Sequence, residues 1–285
     1  MKTRLCRNMI ALFLLGILAS SCLIRSKKNV RNENPITFDS IQIDKIYHLL
    51  ENPSNPNCNL QIKFTFPTDY EDKAVLQKIQ KLFISSYFGD DYANLKPEEA
   101  VNRYTENYLK AYKELEADFQ QDLNRSDEES VGAWYSYYEM STNDIIFNES
   151  DILSYTVSFE NYTGGAHGTH SFSNKVIYMK TGEQITEEDI FVDNFEDHLA
   201  LMLVDEIARQ NNVAEAKELE NLGYFSIEEI FPNGNFLIDA TGITYFFNEY
   251  EIAAYVVGAT KVHLPFSELA PLLRPDSPIS QLIEN

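Results

Sequence analysis

The stretch "SYTVSFENYTGGAHGTHSFSNKVIYMK", residues 154–180, decides how the chain is read. Its first seven residues alternate strictly, with Tyr155, Val157 and Phe159 on one face and Thr156, Ser158 and Glu160 on the other. That period of two predicts a half-buried strand of an antiparallel sheet. Gly164, Gly165 and Gly168 then fall within seven positions together with His167 and His170, two of the chain's five histidines. "NKVIYMKTGEQI" resumes the extended pattern and stops at the Thr181-Gly182 turn. The glycines therefore predict a turn between strands.

Upstream, "ITFDSIQIDKIYHLL" and "CNLQIKFTF" also read as extended, separated by the loop "ENPSNPN". Residues 71–88 carry Val75, Ile79, Leu82, Phe83 and Tyr87 at helical spacing. A second helix is predicted from Pro97, with Glu98 and Glu99 in its first turn and one stripe from Val101 through Tyr104, Tyr108 and Tyr112 to Phe119. "NRSDEES" closes it, and the period changes to strands from Trp134. Asp193 and Glu196 have the spacing of a capping box that would open a further helix, with Phe195, Leu199, Met202 and Ile207 inward. The run from Gly234 to Leu273 reads as strand, turn, strand, Tyr-rich connection, strand and short helix. Strands and helices are segregated, which predicts an α+β fold of two domains, each an antiparallel sheet packed with helices. The seam is expected between His170 and Lys180, giving domains at 37–172 and 173–275 and a tail at 276–285.

The N-terminus is a targeting segment. Lys2, Arg4 and Arg7 precede the apolar run "MIALFLLGILA", and "SS" stands directly before Cys22. This order is that of an export signal, residues 1–21. It resembles a bacterial lipoprotein signal, which implies lipidation of Cys22, export and a lipid anchor in the cell envelope; Leu23 after the Cys implies the outer membrane of a Gram-negative cell. The usual Leu of that pattern is Ala19 here, and the alternative is an uncleaved anchor. Residues 22–36 are polar and basic and read as a flexible tether.

The formal charge is −21, and removal of the signal's three cations leaves about −24, 44 acidic against 20 basic residues. Such a field disfavours nucleic acid and anionic headgroups and favours cationic partners. With Cys6 in the signal and Cys22 lipidated, Cys58 stands alone, which excludes an intramolecular disulfide framework. A buried bystander is the expected role for Cys58.

No GxSxG, HExxH, CxxC, Walker or dinucleotide motif is present in the sequence. His167 and His170 are the remaining candidates for metal or base chemistry, with Glu160 or Asp189 as conceivable oxygen donors. Residues three apart in an extended chain point to opposite faces, so convergence on a metal is not expected. No catalytic residue, metal ligand or cofactor is assigned. Gly164, Gly165, His167, Gly168 and His170 are read as a structural junction with a possible binding role.

"YTGGAHGTH" after an alternating strand resembles the end of a domain of unknown function shared by the extracellular part of RsiV-type anti-sigma factors and the N-terminal region of PdaC-type peptidoglycan deacetylases. The C-terminal run resembles its usual companion, through Tyr245 to Phe247, Tyr250 to Ala253, Gly258 and Pro265 to Leu269. Together these cover about Ile36 to Leu273. The resemblance implies a non-catalytic binding or sensing module at the envelope, with a cationic protein such as lysozyme, or peptidoglycan, as its partner. Neither a sigma-binding segment before the signal nor a separate deacetylase domain is found, so those activities are not expected. The competing readings are a metal-dependent enzyme acting on cell-wall sugars or peptides and a structural envelope-assembly protein.

Overall fold

The computed structural model describes residues 32–125 and 128–283. Residues 1–31, which include the expected signal, Cys22 and most of the expected tether, lie outside the described residues.

Strands β1 (Thr37–His48), β2 (Asn57–Asp69), β3 (Tyr137–Glu149), β4 (Ile152–Tyr162), β5 (Thr169–Tyr178) and β6 (Glu183–Gln184) form one sheet in sequence order. Neighbours are antiparallel except β2 and β3, which run parallel. A parallel step needs a long crossover. Helices α1 (Lys73–Phe88), α2 (Pro97–Lys113), α3 (Glu116–Leu123) and α4 (Glu128–Tyr135) supply it. Asp72 starts α1 by accepting from the amides of Ala74 and Val75. The apolar stripe of α1 and the first turns of α2 cover one face of the sheet, with Ile79, Phe83 and Val101 against Leu60, Phe64 and Tyr155. The Phe83 and Tyr155 rings stack at 4.0 Å.

The single long stripe expected to Phe119 is broken after Lys113. The break turns Tyr112 and Phe119 onto a separate small core with Leu49, Cys58 and Val131, which closes one end of the sheet. Burial pushes the Cys58 thiol up to about 11, so it stays neutral in that core.

The second part contains α5 (Glu187–Ile190), α6 (Glu196–Gln210), and a three-stranded antiparallel sheet of β7 (Phe236–Ile238), β8 (Gly242–Phe247) and β9 (Thr260–Pro265). Short helices α7 (Phe266–Leu269) and α8 (Ser280–Ile283) follow. Leu199, Leu203 and Ile207 of α6 pack with Ile243, Tyr245, Val262 and Leu264. The capping box expected at Asp193 does not form. Asn194 takes a left-handed φ of 61°, which starts the helix after Phe195 and leaves the Asp193 carboxylate 3.8 Å from Arg274. The box forms one element earlier, where the Thr186 amide donates to Asp189 Oδ2 at 2.8 Å.

The strand expected to be half-buried is buried on both faces from Ile152 to Val157. Its second face is covered by the smaller sheet: Ser154 is fully buried, donates to the Ile238 carbonyl at 2.7 Å and accepts from the Ile238 amide at 3.3 Å. Phe147, Ile152 and Val176 of the large sheet belong to the same core as α6 and β7–β9. Strand β5 runs through the expected seam. Residues 32–36, expected as tether, lie on the β3–β4 turn, where the buried Asn34 donates to Asn148 Oδ1 and the Ile152 carbonyl. The described residues are one compact unit.

Candidate functional site

The glycine loop between β4 and β5 is fixed by close backbone approach. Gly164 has φ of 87°, and a Cβ there would stand 2.9 Å from the Trp134 carbonyl oxygen. At Gly168 a Cβ would meet the Asn161 carbonyl oxygen at 2.7 Å and the Tyr138 hydroxyl at 2.9 Å. Gly165 sits at the open tip, where its carbonyl accepts from the Tyr162 hydroxyl.

The loop carries its histidines onto the connection between β8 and β9. His167 stacks on Tyr255, ring centroids 3.9 Å apart, and its Nε2 lies 3.1 Å from the Tyr250 hydroxyl. His170, already in β5, meets Glu249 Oε1 through Nδ1 at 3.1 Å and lies 3.5 Å from Glu160 Oε1 through Nε2. The two imidazoles thus engage different partners. Glu160 is drawn to His170, whereas Asp189 is occupied in its own helix start. Among the described residues no group of three or more His, Cys, Asp or Glu side chains is arranged to hold a metal ion.

Beside His170, the outer edge of β5 is sealed by side chains that imitate a missing strand. The His170 amide donates to Glu249 Oε2, the Phe172 amide to Asn248 Oδ1 at 2.7 Å, and the Asn174 amide to Asn235 Oδ1 at 2.9 Å. In return Asn235 and Asn248 donate to the Phe172 carbonyl at 3.0 and 3.1 Å. An unpaired edge is thereby converted into an internal junction. Lys261 lies over both the Phe172 and Phe246 rings at 4.8 and 4.9 Å.

The face of the large sheet opposite the helices stays open over β1–β3 and the part of β4 from Ser158 onward, and ends at this junction. Two adjoining cavities of about 400 and 240 Å³ share Met140 and Thr142 and form a trough across the strands. Gln42, Asp44, Gln61 and Lys63 line one end, and Ser158, Glu160, His170 and Phe172 the other. The lining mixes amides, hydroxyls, the Asp44 and Glu160 carboxylates, the Lys63 ammonium and the His170 imidazole with Ile43, Ile62, Met140, Phe159 and Phe172. His167 and His170 each join the region of the β4–β5 loop to residues 249–255.

On the helical side, Glu139 is buried, with its carboxyl pushed up by burial and partly offset by the bond from Tyr104. Glu187 is pushed up by burial in the same way. Asn235, Asn248, Glu249, Tyr250 and Tyr255 are not among the site residues read from the sequence. They lie 61 to 88 positions from their partners, and no local pattern marks them.

Comparison with known proteins agrees with this organisation. The family described as Deacetylase PdaC matches residues 54–170, and the protein family of unknown function DUF3298 matches residues 188–267. A solved structure of a DUF3298 family member from Bacteroides fragilis NCTC 9343 is 30% identical, with a TM-score of 0.83 over 89% of this chain and 100% of that one. The chain belongs to the DUF3298 family. A DUF3298 protein from Pseudomonas aeruginosa PAO1 shares the fold at 12% identity, with a TM-score of 0.56 over 86% of this chain and 97% of that one. No curated protein matches the chain. The α+β architecture is common to this DUF3298 chain and its solved relatives.

Proposed function

We propose that the chain is a lipid-anchored, non-catalytic binding module of the cell envelope, anchored through Cys22, whose partner is a cationic protein such as lysozyme. The observation that carries this reading is the acidic chain, of formal charge −21, with an open polar trough lined by Asp44 and Lys63 at one end and by Glu160 and His170 at the other. The resemblance to the outer domains of RsiV-type proteins points the same way. Opposite charge speeds encounter and orients a partner, and it is screened by salt. His167 and His170 support the module by holding the junction at the end of the trough.

Peptidoglycan is the second reading, favoured by the trough's Gln42, Gln61, Thr142 and Ser158, which offer the amides and hydroxyls that a glycan takes up. The enzymatic alternative would require a metal recruited by His167 or His170. Titration of the exported chain with a C-type lysozyme at low and moderate salt, beside sedimentation with insoluble peptidoglycan, tests the reading. Saturable binding to either ligand supports it, and binding to neither at micromolar concentration removes it. Metal analysis of the purified chain, with melting before and after chelation, tests the enzymatic alternative.

A further inference from the structure

A second surface lies away from the trough, where α6 meets residues 227–231. Leu201 is 63% exposed and Phe231 45% exposed. Single exposed apolar side chains are ordinary. These two share one groove of about 310 Å³, floored by the buried Ala200, Val204 and Ile230 and walled by Ile227. Asp197 and Glu228 complete its lining, which contains no Lys or Arg. Asp205 is exposed one turn beyond Leu201, as Asp197 is one turn before it.

We infer that this groove docks a cationic amphipathic segment of a partner protein, its apolar side chain between Leu201 and Phe231 and its Lys or Arg side chains on Asp197, Asp205 and Glu228. The charge of the rim selects this occupant. An anionic lipid surface is repelled by it, and a second copy would bring the same acidic rim against it. The spacing selects further: Asp197 and Asp205 are separated by about 12 Å along the helix, at roughly 1.5 Å per residue. A helical segment with cations two turns apart and a Leu or Phe midway matches both carboxylates and the groove. The inference rests on the cationic-partner reading above and assigns it a surface that the trough does not include.

The test uses the exported chain carrying Cys22→Ala, which avoids detergent, and a labelled helical peptide of Leu and Lys with one apolar face, followed by fluorescence anisotropy. Leu201→Asp is the decisive variant. It adds negative charge, so attraction by the overall field alone would tighten binding of a cationic peptide, whereas loss of the apolar anchor weakens it by about tenfold or more. Leu201→Ala weakens it in the same direction and guards against misfolding, as does circular dichroism of both variants. Asp197→Asn/Asp205→Asn/Glu228→Gln weakens binding, and the distant Glu98→Gln/Glu106→Gln/Glu114→Gln weakens it much less.

Unchanged or tighter binding by Leu201→Asp, or equal losses in the two charge triples, overturns the inference. Absence of saturable peptide binding overturns it as well. A wild-type dimer that Leu201→Asp dissolves in sedimentation assigns the groove to a second copy and also overturns it. Lysozyme bound equally by wild type and Leu201→Asp, with no peptide bound, removes the groove and leaves the envelope-binding reading standing. Groove-dependent peptide binding with neither lysozyme nor peptidoglycan bound does the reverse.

Discussion

Asn235→Ala should cost about 3 kcal/mol of stability, since it orphans two buried donors at roughly 1–3 kcal/mol each and water reaching the gap recovers part of that. Asn235 makes four bonds at the sealed edge of β5. Its Oδ1 accepts from the Asn174 amide at 2.9 Å and from Asn174 Nδ2 at 3.0 Å, while its Nδ2 donates to the carbonyls of Phe172 and Phe246 at 3.0 and 3.1 Å. The two carbonyls lose little, because Phe172 keeps the Asn248 donor and Phe246 keeps the Asn233 donor. The two Asn174 donors lose everything, and Asn174 is 1% exposed. Asn248→Ala orphans only the half-buried Phe172 amide, which water can reach, and should cost about 1 kcal/mol. The double variant should exceed the sum, because both asparagines donate to the same Phe172 carbonyl. Denaturant unfolding of the single and double variants measures these differences, and the Asn235→Ala melting point should fall by about 6–10 °C for a chain of this size. A cost below about 0.5 kcal/mol for Asn235→Ala, the range of an ordinary surface substitution, would refute the account of β5 as an edge sealed by side chains. So would strict additivity.

Gly168→Ala should destabilise by about 1–3 kcal/mol, because the nearest obstacle is the Asn161 backbone oxygen at 2.7 Å, which cannot move aside as a side chain tip could; calorimetry reads the loss, and an unchanged melting point would contradict the close approach. Glu139→Gln should stabilise the fold at neutral pH. Burial raises the Glu139 carboxyl, so its favourable contribution is complete below the unfolded pKa of roughly 4.3 and is lost as pH rises through the folded value. Glutamine keeps the acceptor for Tyr104 without the charge, so the gap between variant and wild type, read by denaturant unfolding across pH, should grow from pH 4 toward 7; a gap that shrinks would contradict it. Cys22→Ala should release the exported chain from membranes in fractionation, and continued sedimentation with membranes would remove the lipoprotein reading.

The parts legible in the sequence are those set by local period. The alternation of Tyr155, Val157 and Phe159 marks β4, and the spacing of Val75, Ile79 and Phe83 marks α1. Segregation of the two periods is sufficient for the α+β class. What was hidden depends on long-range contact. Ser154 and Thr156 look like a solvent face until Ile238, 84 residues on, covers Ser154. The Asp193–Glu196 spacing fits a capping box, and only the left-handed turn at Asn194 prevents it. The glycine loop was legible as a turn and a junction, but its partners were not, because Glu249, Tyr250 and Tyr255 reach His170 and His167 from about 80 positions away. Asparagine side chains that stand in for a strand have no sequence period at all.

The measurement closest to the central claim is direct titration of the exported chain with a C-type lysozyme, repeated at low and moderate salt. The account predicts saturable binding that weakens as salt screens the acidic surface. Absence of saturable binding at micromolar concentration in both buffers, with no retention on peptidoglycan, would contradict it.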